Sequence, residues 1–245
     1  MHTQEFLRAD LVRFSQAVHA KGWVANHDGN LTCRYAEGQL LSTPTAVSKG
    51  AVAPEMLIVV SDQDGSVLQG TRKAFSELKL HLAAYRARPD IGAVIHAHPP
   101  QATGFAVCQQ PLDPSIMAET IVSLGPRIPL VPFGLPGETQ LDEELSHALS
   151  QADVVMLGNH GVLAVGPDLE TCMLRIELLE HLAKITLVAR QLGGAVSLPP
   201  ETVQKLSDKH ASIFPRDGVA QVSGTPAASG DAQSIVAQAL RRLGN

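Results

Sequence analysis

Residues 91–100 read IGAVIHAHPP, an apolar run that takes up two histidines and stops at two prolines. Such a run is a strand buried on both faces, and Pro99-Pro100 cannot carry its hydrogen-bond ladder further. The segment before it, FSELKLHLAAYRARPD, places Phe75, Leu78, Leu82 and Tyr85 on one helical face and ends at Pro89. A helix that feeds a buried strand directly asks for helical layers on a sheet.

The remaining pattern extends that expectation. Leu7, Leu11, Phe14 and Val18 recur at helical spacing, and Gly22 stops the helix. NLTCRY and QLLST flank the turn AEG, and MLIVV and SVLQG flank DQDG, where Asp64-Gly65 marks a hairpin. From Pro111 to Pro136 prolines punctuate a stretch with an apolar IPLVPF, followed by a helix around LDEELSHALSQA. DVVML and VLAVG read as strands joined through GNHG. A long helix runs from an N-cap at Asp168 to Gln191, and Gly193-Gly194 ends it. No internal repeat is visible. Strands and helices alternate irregularly, so the fold class is α/β, layered α/β/α around a mostly antiparallel or mixed sheet. The domain is expected over residues 1–195. Residues 196–245 form a C-terminal extension, with a Ser/Gly/Ala/Pro linker at about 222–231 and a short terminal helix.

Composition decides which partners to expect. A formal charge of −5 with no basic cluster excludes the footprint of a nucleic-acid binder, leaving a small molecule or another subunit. Cys33, Cys108 and Cys172 are widely spaced and odd in number, which fits buried thiols in a reducing compartment rather than disulfides. No apolar run approaches the ~20 residues of a spanning helix, and MHTQEFLRAD has no signal-peptide core. A cytoplasmic protein without membrane association is expected.

On a strand His96 and His98 project to the same face, which is half of a metal site. A third imidazole is available at His160, where glycines on either side of Asn159-His160 allow a sharp turn. Glu77 stands at the start of the helix that precedes the histidine strand, where a carboxylate also stabilises a first turn. The histidines at 2, 19, 27, 81, 147, 181 and 210 are read as surface or packing residues.

From about residue 4 to 195 the chain resembles the class II aldolase/adducin family, most closely its L-fuculose-phosphate aldolase type. GNLT at 29–32, TPTA at 43–46, AFSE at 74–77, HAH at 96–98 and NHG at 159–161 follow the order of that family's short motifs. The resemblance implies that His96, His98 and His160 bind zinc, or manganese or cobalt. It also implies that Glu77 ligates the empty metal and then serves as base, and that Gly29, Asn30, Thr45, Ala46 and Ser76 cradle a substrate phosphate. A cyclic homotetramer is implied likewise. Such a metal stabilises the enediolate left when a bond beta to a ketone breaks, while three neutral imidazoles preserve its charge and leave positions open for substrate.

The departures bear on substrate. Ala46 replaces the family's loop glycine, Phe75 its first serine, and Asp28 adds negative charge, although Lys49 or Lys73 would compensate if either points inward. The family's proton-donating tyrosine is absent from SIMAETIV, where Glu119 is the nearest ionisable group; Tyr35 and Tyr85 are read as structural. The first expectation is therefore a zinc-dependent aldolase that cleaves a hydroxy-ketone. A decarboxylase or sugar-phosphate epimerase is the alternative, and a non-catalytic adducin-like module is the third.

Overall fold

The computed structural model describes residues 3–215. Its strands are β1 (Asn30–Ala36), β2 (Gln39–Ser42), β3 (Ile58–Ser61), β4 (Val67–Gln69), β5 (Ala93–Ala97), β6 (Leu130–Val131), β7 (Val154–Leu157) and β8 (Gly161–Gly166). They form one sheet in the order β4-β3-β2-β1-β5-β8-β7-β6, antiparallel throughout except for the β6–β7 pair. The mixed, mostly antiparallel sheet read from the sequence is present.

Alternation along the strands sorts residues into two cores. Leu31, Cys33, Ile95, Ala97, Met156 and Val162 pack on α1 (Gln4–Ala20), α3 (Pro100–Val107), α4 (Ala118–Leu124) and α6 (Leu169–Gln191). Leu40, Val60, Val94, Val155, Leu163 and Val165 pack on α2 (Leu78–Ala87) and α5 (Thr139–Gln151). Strands with both neighbours buried explain why β5, β7 and β8 are apolar without interruption. The layering is α/β/α.

Several expectations change in detail. Pro99-Pro100 ends β5 but also starts α3, with Pro99 as N-cap and Pro100 in the first turn, where a missing N–H costs nothing. Phe75 precedes α2 rather than lying on it, and Glu77 is that helix's N-cap residue. Met56 belongs to a 3-10 turn, Pro54–Met56, so the third strand begins only at Ile58. IPLVPF contributes two strand residues. The region from 196 carries α7 (Pro200–Ile213), whose His210 Nδ1 donates to the carbonyl of Val122 on α4 at 2.9 Å, while Leu198 N donates to Ser115 O. The expected linker and terminal helix lie outside the described residues. Cys33 and Cys172 are buried as expected, whereas Cys108 is exposed at the C-cap of α3. Among the described residues no helix is long and apolar enough to cross a membrane.

Candidate metal centre

Three chain segments meet at one end of the central strands. β5 delivers His96 and then His98, the turn between β7 and β8 delivers His160, and antiparallel β1 begins there because Asn30 pairs with His96. The loop before β1 packs so closely that Gly29, at φ +66°, has no room for a Cβ against Val24 and the carbonyl of His96. Asn159 takes φ 53°, the left-handed turn the flanking glycines suggested. Ligand nitrogens of His96, His98 and His160 all lie within 4.8 Å of one another.

The hydrogen bonds of the ring nitrogens decide what this cluster can hold. His96 Nδ1 lies 2.9 Å from the carbonyl of Val162, which can only accept, so the proton is on Nδ1 and Nε2 carries a lone pair. His98 Nδ1 lies 2.9 Å from Asp28 Oδ2, and the same argument leaves its Nε2 bare. The two Nε2 atoms are 3.0 Å apart. Facing lone pairs repel, and a cation between them removes the conflict. Tetrahedral zinc–nitrogen bonds of about 2.0–2.1 Å put neighbouring nitrogens about 3.3 Å apart, close to the spacing present. The residues fit a divalent metal.

Glu77 closes the fourth side. Its Oε1 accepts from His160 Nε2 at 2.8 Å, its Oε2 accepts from Asn30 Nδ2 at 2.7 Å, and Oε2 lies 3.6 Å from His96 Nε2. Burial acts to raise its pKa, but the hydrogen bonds from His160 and Asn30 outweigh it and hold the carboxyl well below the usual range. Burial also lowers His96 to about 3, which keeps this imidazole neutral and ready to ligate. The cluster thus combines two imidazoles with a bare Nε2 and a third, His160, whose Nε2 proton rests on an ionised carboxylate and would have to leave for that nitrogen to ligate.

Of the expected substrate residues, Gly29 and Asn30 adjoin the cluster, through the carbonyl of His96 and through Glu77. Thr45 N donates to Lys73 O at 3.0 Å, which joins the TPTA loop to the loop leading to Glu77, and Ser76 is exposed beside it. Ala46 is exposed at φ 56°. The Asn30 amide, expected at a phosphate, is engaged by Glu77 and by His81. Lys49 does point inward, but its Nζ donates to the carbonyls of His27 and Val47, both at 3.0 Å, and Lys73 is exposed. Burial lowers Lys49 to about 8 against the opposing charges of Asp28 and Glu77. Glu119 is exposed in the first turn of α4, a helix that packs on α6 and α7 rather than on the histidine strand. Asp28, read as a hindrance to anions, orients His98. His81 is fully buried beneath Glu77, and the i, i+4 spacing from Glu77 in ELKLH was the signal for it.

Residues 9–187 match the family described as Class II Aldolase and Adducin N-terminal domain. The chain is 30% identical over 190 residues to 3-oxo-tetronate 4-phosphate decarboxylase of Escherichia coli K12, covering 76% of this chain and 88% of that one. It is 32% identical over 185 residues to L-fuculose phosphate aldolase of E. coli O6:H1, covering 76% and 81%. The solved structure of YgbL from Klebsiella pneumoniae superposes with a TM-score of 0.77 at 25% identity, over 84% of this chain and all of that one.

Proposed function

Since the chain belongs to the class II aldolase and adducin family, we propose that it is a metal-dependent carbon–carbon lyase that breaks a bond beta to a carbonyl, with Glu77 carrying the proton. The observation that supports this most is the convergence of three imidazoles on an ionised carboxylate, with Glu77 Oε1 2.8 Å from His160. Its relatives include lyases named as an aldolase and as a decarboxylase.

A divalent ion held by His96, His98 and His160, zinc or by the same ligand chemistry manganese or cobalt, would supply Lewis-acid stabilisation of the charge left on the carbonyl and neighbouring hydroxyl oxygens. The chain's own groups do the rest. Ionised Glu77 accepts the substrate's hydroxyl proton and returns it to the carbon that has lost its substituent; the hydroxyl regains a proton from water. Asn30 holds the carboxylate in place, and the buried Phe75 ring packs on His81 behind it.

One observation favours decarboxylation of a β-keto acid over retro-aldol cleavage. An aldehyde leaving group requires a second acid–base residue at its oxygen, whereas carbon dioxide leaves with no proton to lose. The chain's two tyrosines are both engaged elsewhere: Tyr85 is buried with its hydroxyl on Thr32, and the Tyr35 hydroxyl accepts from Arg8. Retro-aldol cleavage of a ketose is the second reading, with Glu119 as that group across a subunit contact of a homotetramer. A cytoplasmic location belongs to either reading, supported by the three free thiols.

The test is a screen of zinc-loaded protein against β-keto sugar acids and ketoses, each with and without a terminal phosphate, read as carbon dioxide or aldehyde released. Carbon dioxide from the acids is expected, and Glu77→Gln is expected to retain metal while losing ~10²-fold or more in turnover. No metal uptake, or near wild-type turnover by Glu77→Gln, defeats the proposal. Aldehyde release establishes the second reading instead.

A further inference from the structure

Behind Glu77 runs a line of buried polar side chains, of which the reaction above uses only Asn30. Asn30 and Thr32 lie on one face of β1, two residues apart; Glu77, His81 and Tyr85 lie on one face of α2 at spacings of four. Two strand residues rise about 6.6 Å and four helical residues about 6 Å, so the two series stay in step. Asn30 Nδ2 meets Glu77 Oε2 at 2.7 Å, and Asn30 Oδ1 meets His81 Nε2 at 2.7 Å. His81 Nδ1 meets Thr32 Oγ1 at 2.7 Å, and Thr32 Oγ1 meets the Tyr85 hydroxyl at 3.1 Å.

The Asn30 amide sets the direction of every bond in this line, its NH₂ on Glu77 Oε2 and its oxygen on His81 Nε2. An amide oxygen only accepts, so His81 Nε2 carries the proton and Nδ1 is bare. Thr32 must then donate to Nδ1, which leaves its oxygen to accept from Tyr85. Asn30, Thr32, His81 and Tyr85 are all at most 4% exposed, so solvent does not stand in for a misdirected partner. The Phe75 ring closes the side of His81, edge to face at 5.2 Å.

We propose that Thr32 and His81 are positioning residues that lock the Asn30 amide in the one orientation that holds the Glu77 carboxyl through Oε2 while Oε1 faces His160. A flip of the amide would withdraw its NH₂ from Glu77 and would require His81 to change tautomer and Thr32 to reverse its hydroxyl, so the line holds the carboxyl in place for its work. The kinetic consequence rests on Glu77 as the base; the bond directions do not.

Ring ¹⁵N spectra of the full-length protein test the directions, and kinetics of the zinc-loaded protein on the substrate found by the screen test the consequence. His81 is expected to be protonated on Nε2 in the wild type. Thr32→Val, which removes the donor to Nδ1 with little change of shape, is expected to allow the other tautomer and to lower kcat about tenfold while KM stays within about threefold, the scale of one hydrogen bond to a charged group. Thr32→Ser restores the hydroxyl and is expected to recover the loss; His81→Gln, able to donate and accept at the same two places, is expected to lose far less than His81→Met. Protonation of His81 on Nδ1 in the wild type, or equal kcat for Thr32→Val and Thr32→Ser, overturns the proposal. Near wild-type turnover by Glu77→Gln would instead defeat the base assignment, with the spectra still deciding the bond directions.

Discussion

The carboxylate of Asp28 fixes His98 from behind: Oδ2 takes the Nδ1 proton at 2.9 Å, while Oδ1 accepts from Ala25 N at 2.5 Å. A ligand histidine held this way presents Nε2 to the metal with its tautomer and ring angle set, and losing such a partner costs ~10–100-fold in metal affinity. Asp28→Ala is therefore expected to weaken zinc binding by that factor with only a small change in the stability of the chelator-treated protein, as measured by competition with a chromophoric chelator. Affinity within twofold of wild type would show that Asp28 is a turn residue only. Ala46 carries a second expectation, since its φ of 56° lies where a Cβ is strained by about 1–2 kcal/mol. Ala46→Gly relieves that strain but gains unfolded-state freedom, so a net stabilisation of about 0.5–1 kcal/mol is expected in urea unfolding. A loss of stability would mean that the alanine methyl packs usefully. At this scale the histidine cluster was legible because imidazoles announce themselves by type and spacing. The partners of Asp28, Asn30 and His81 were not legible for a common reason: what a polar side chain does depends on which partner the fold brings to it, and those partners are 47 to 70 residues away.

Elements were legible where an apolar face was long enough to show its period. α1, α2, α5, α6 and the buried strands follow the sequence pattern closely, while α3 and α4, of eight and seven residues, do not. α3 was hidden because Pro99-Pro100 serves as both strand stop and helix start, and its first two free N–H groups are satisfied from a distance, Glu180 of α6 accepting from Gln101 N at 3.0 Å and Ala102 N at 2.8 Å. The elements are also tied at the strand ends opposite the histidines. Asp153, just before β7, receives Arg88 from the end of α2 at 2.6 Å and Arg175 from α6 at 2.7 Å, and all three are at most 5% exposed. This joins the helical layers on the two faces of the sheet. Asp153→Ala leaves two buried guanidiniums without their shared carboxylate, so a loss of about 3–5 kcal/mol is expected in chemical unfolding. Zinc affinity of the folded fraction is expected to stay near wild type, because the cluster and the histidines lie at opposite strand ends. A loss below about 1 kcal/mol would mean that water reaches and compensates the arginines.

For the molecule as a whole, the polar interior needed by the site makes stability depend on pH with a definite sign. His81 and His96 are fully buried, and burial lowers both to about 3 from the ordinary imidazole value of about 6.5. Unfolding exposes them to water, where they take up protons near pH 6.5, while the folded protein admits those protons only toward pH 3. The unfolded state therefore binds more protons between these limits, so this contribution to stability is complete above about pH 6.5 and is lost as pH falls through the window. Glu77, held below its ordinary range, adds to the loss under more acid conditions with the same sign. Two protons correspond to a limiting slope of about 2.7 kcal/mol per pH unit. A bound metal strengthens the dependence, since its three imidazoles must be neutral and its stabilisation grows with free metal over Kd. Melting of the chelator-treated protein is thus expected to move to lower temperature from pH 7 to pH 5, and added zinc to raise it by an amount that shrinks along the same interval. His81→Gln removes one of the two buried bases without touching a metal ligand, so its slope is expected to fall by up to half. A melting temperature of the chelated wild type that stays flat from pH 7 to pH 5 would show that neither imidazole is held neutral by the fold, and the ligand set at the strand ends would lose its basis.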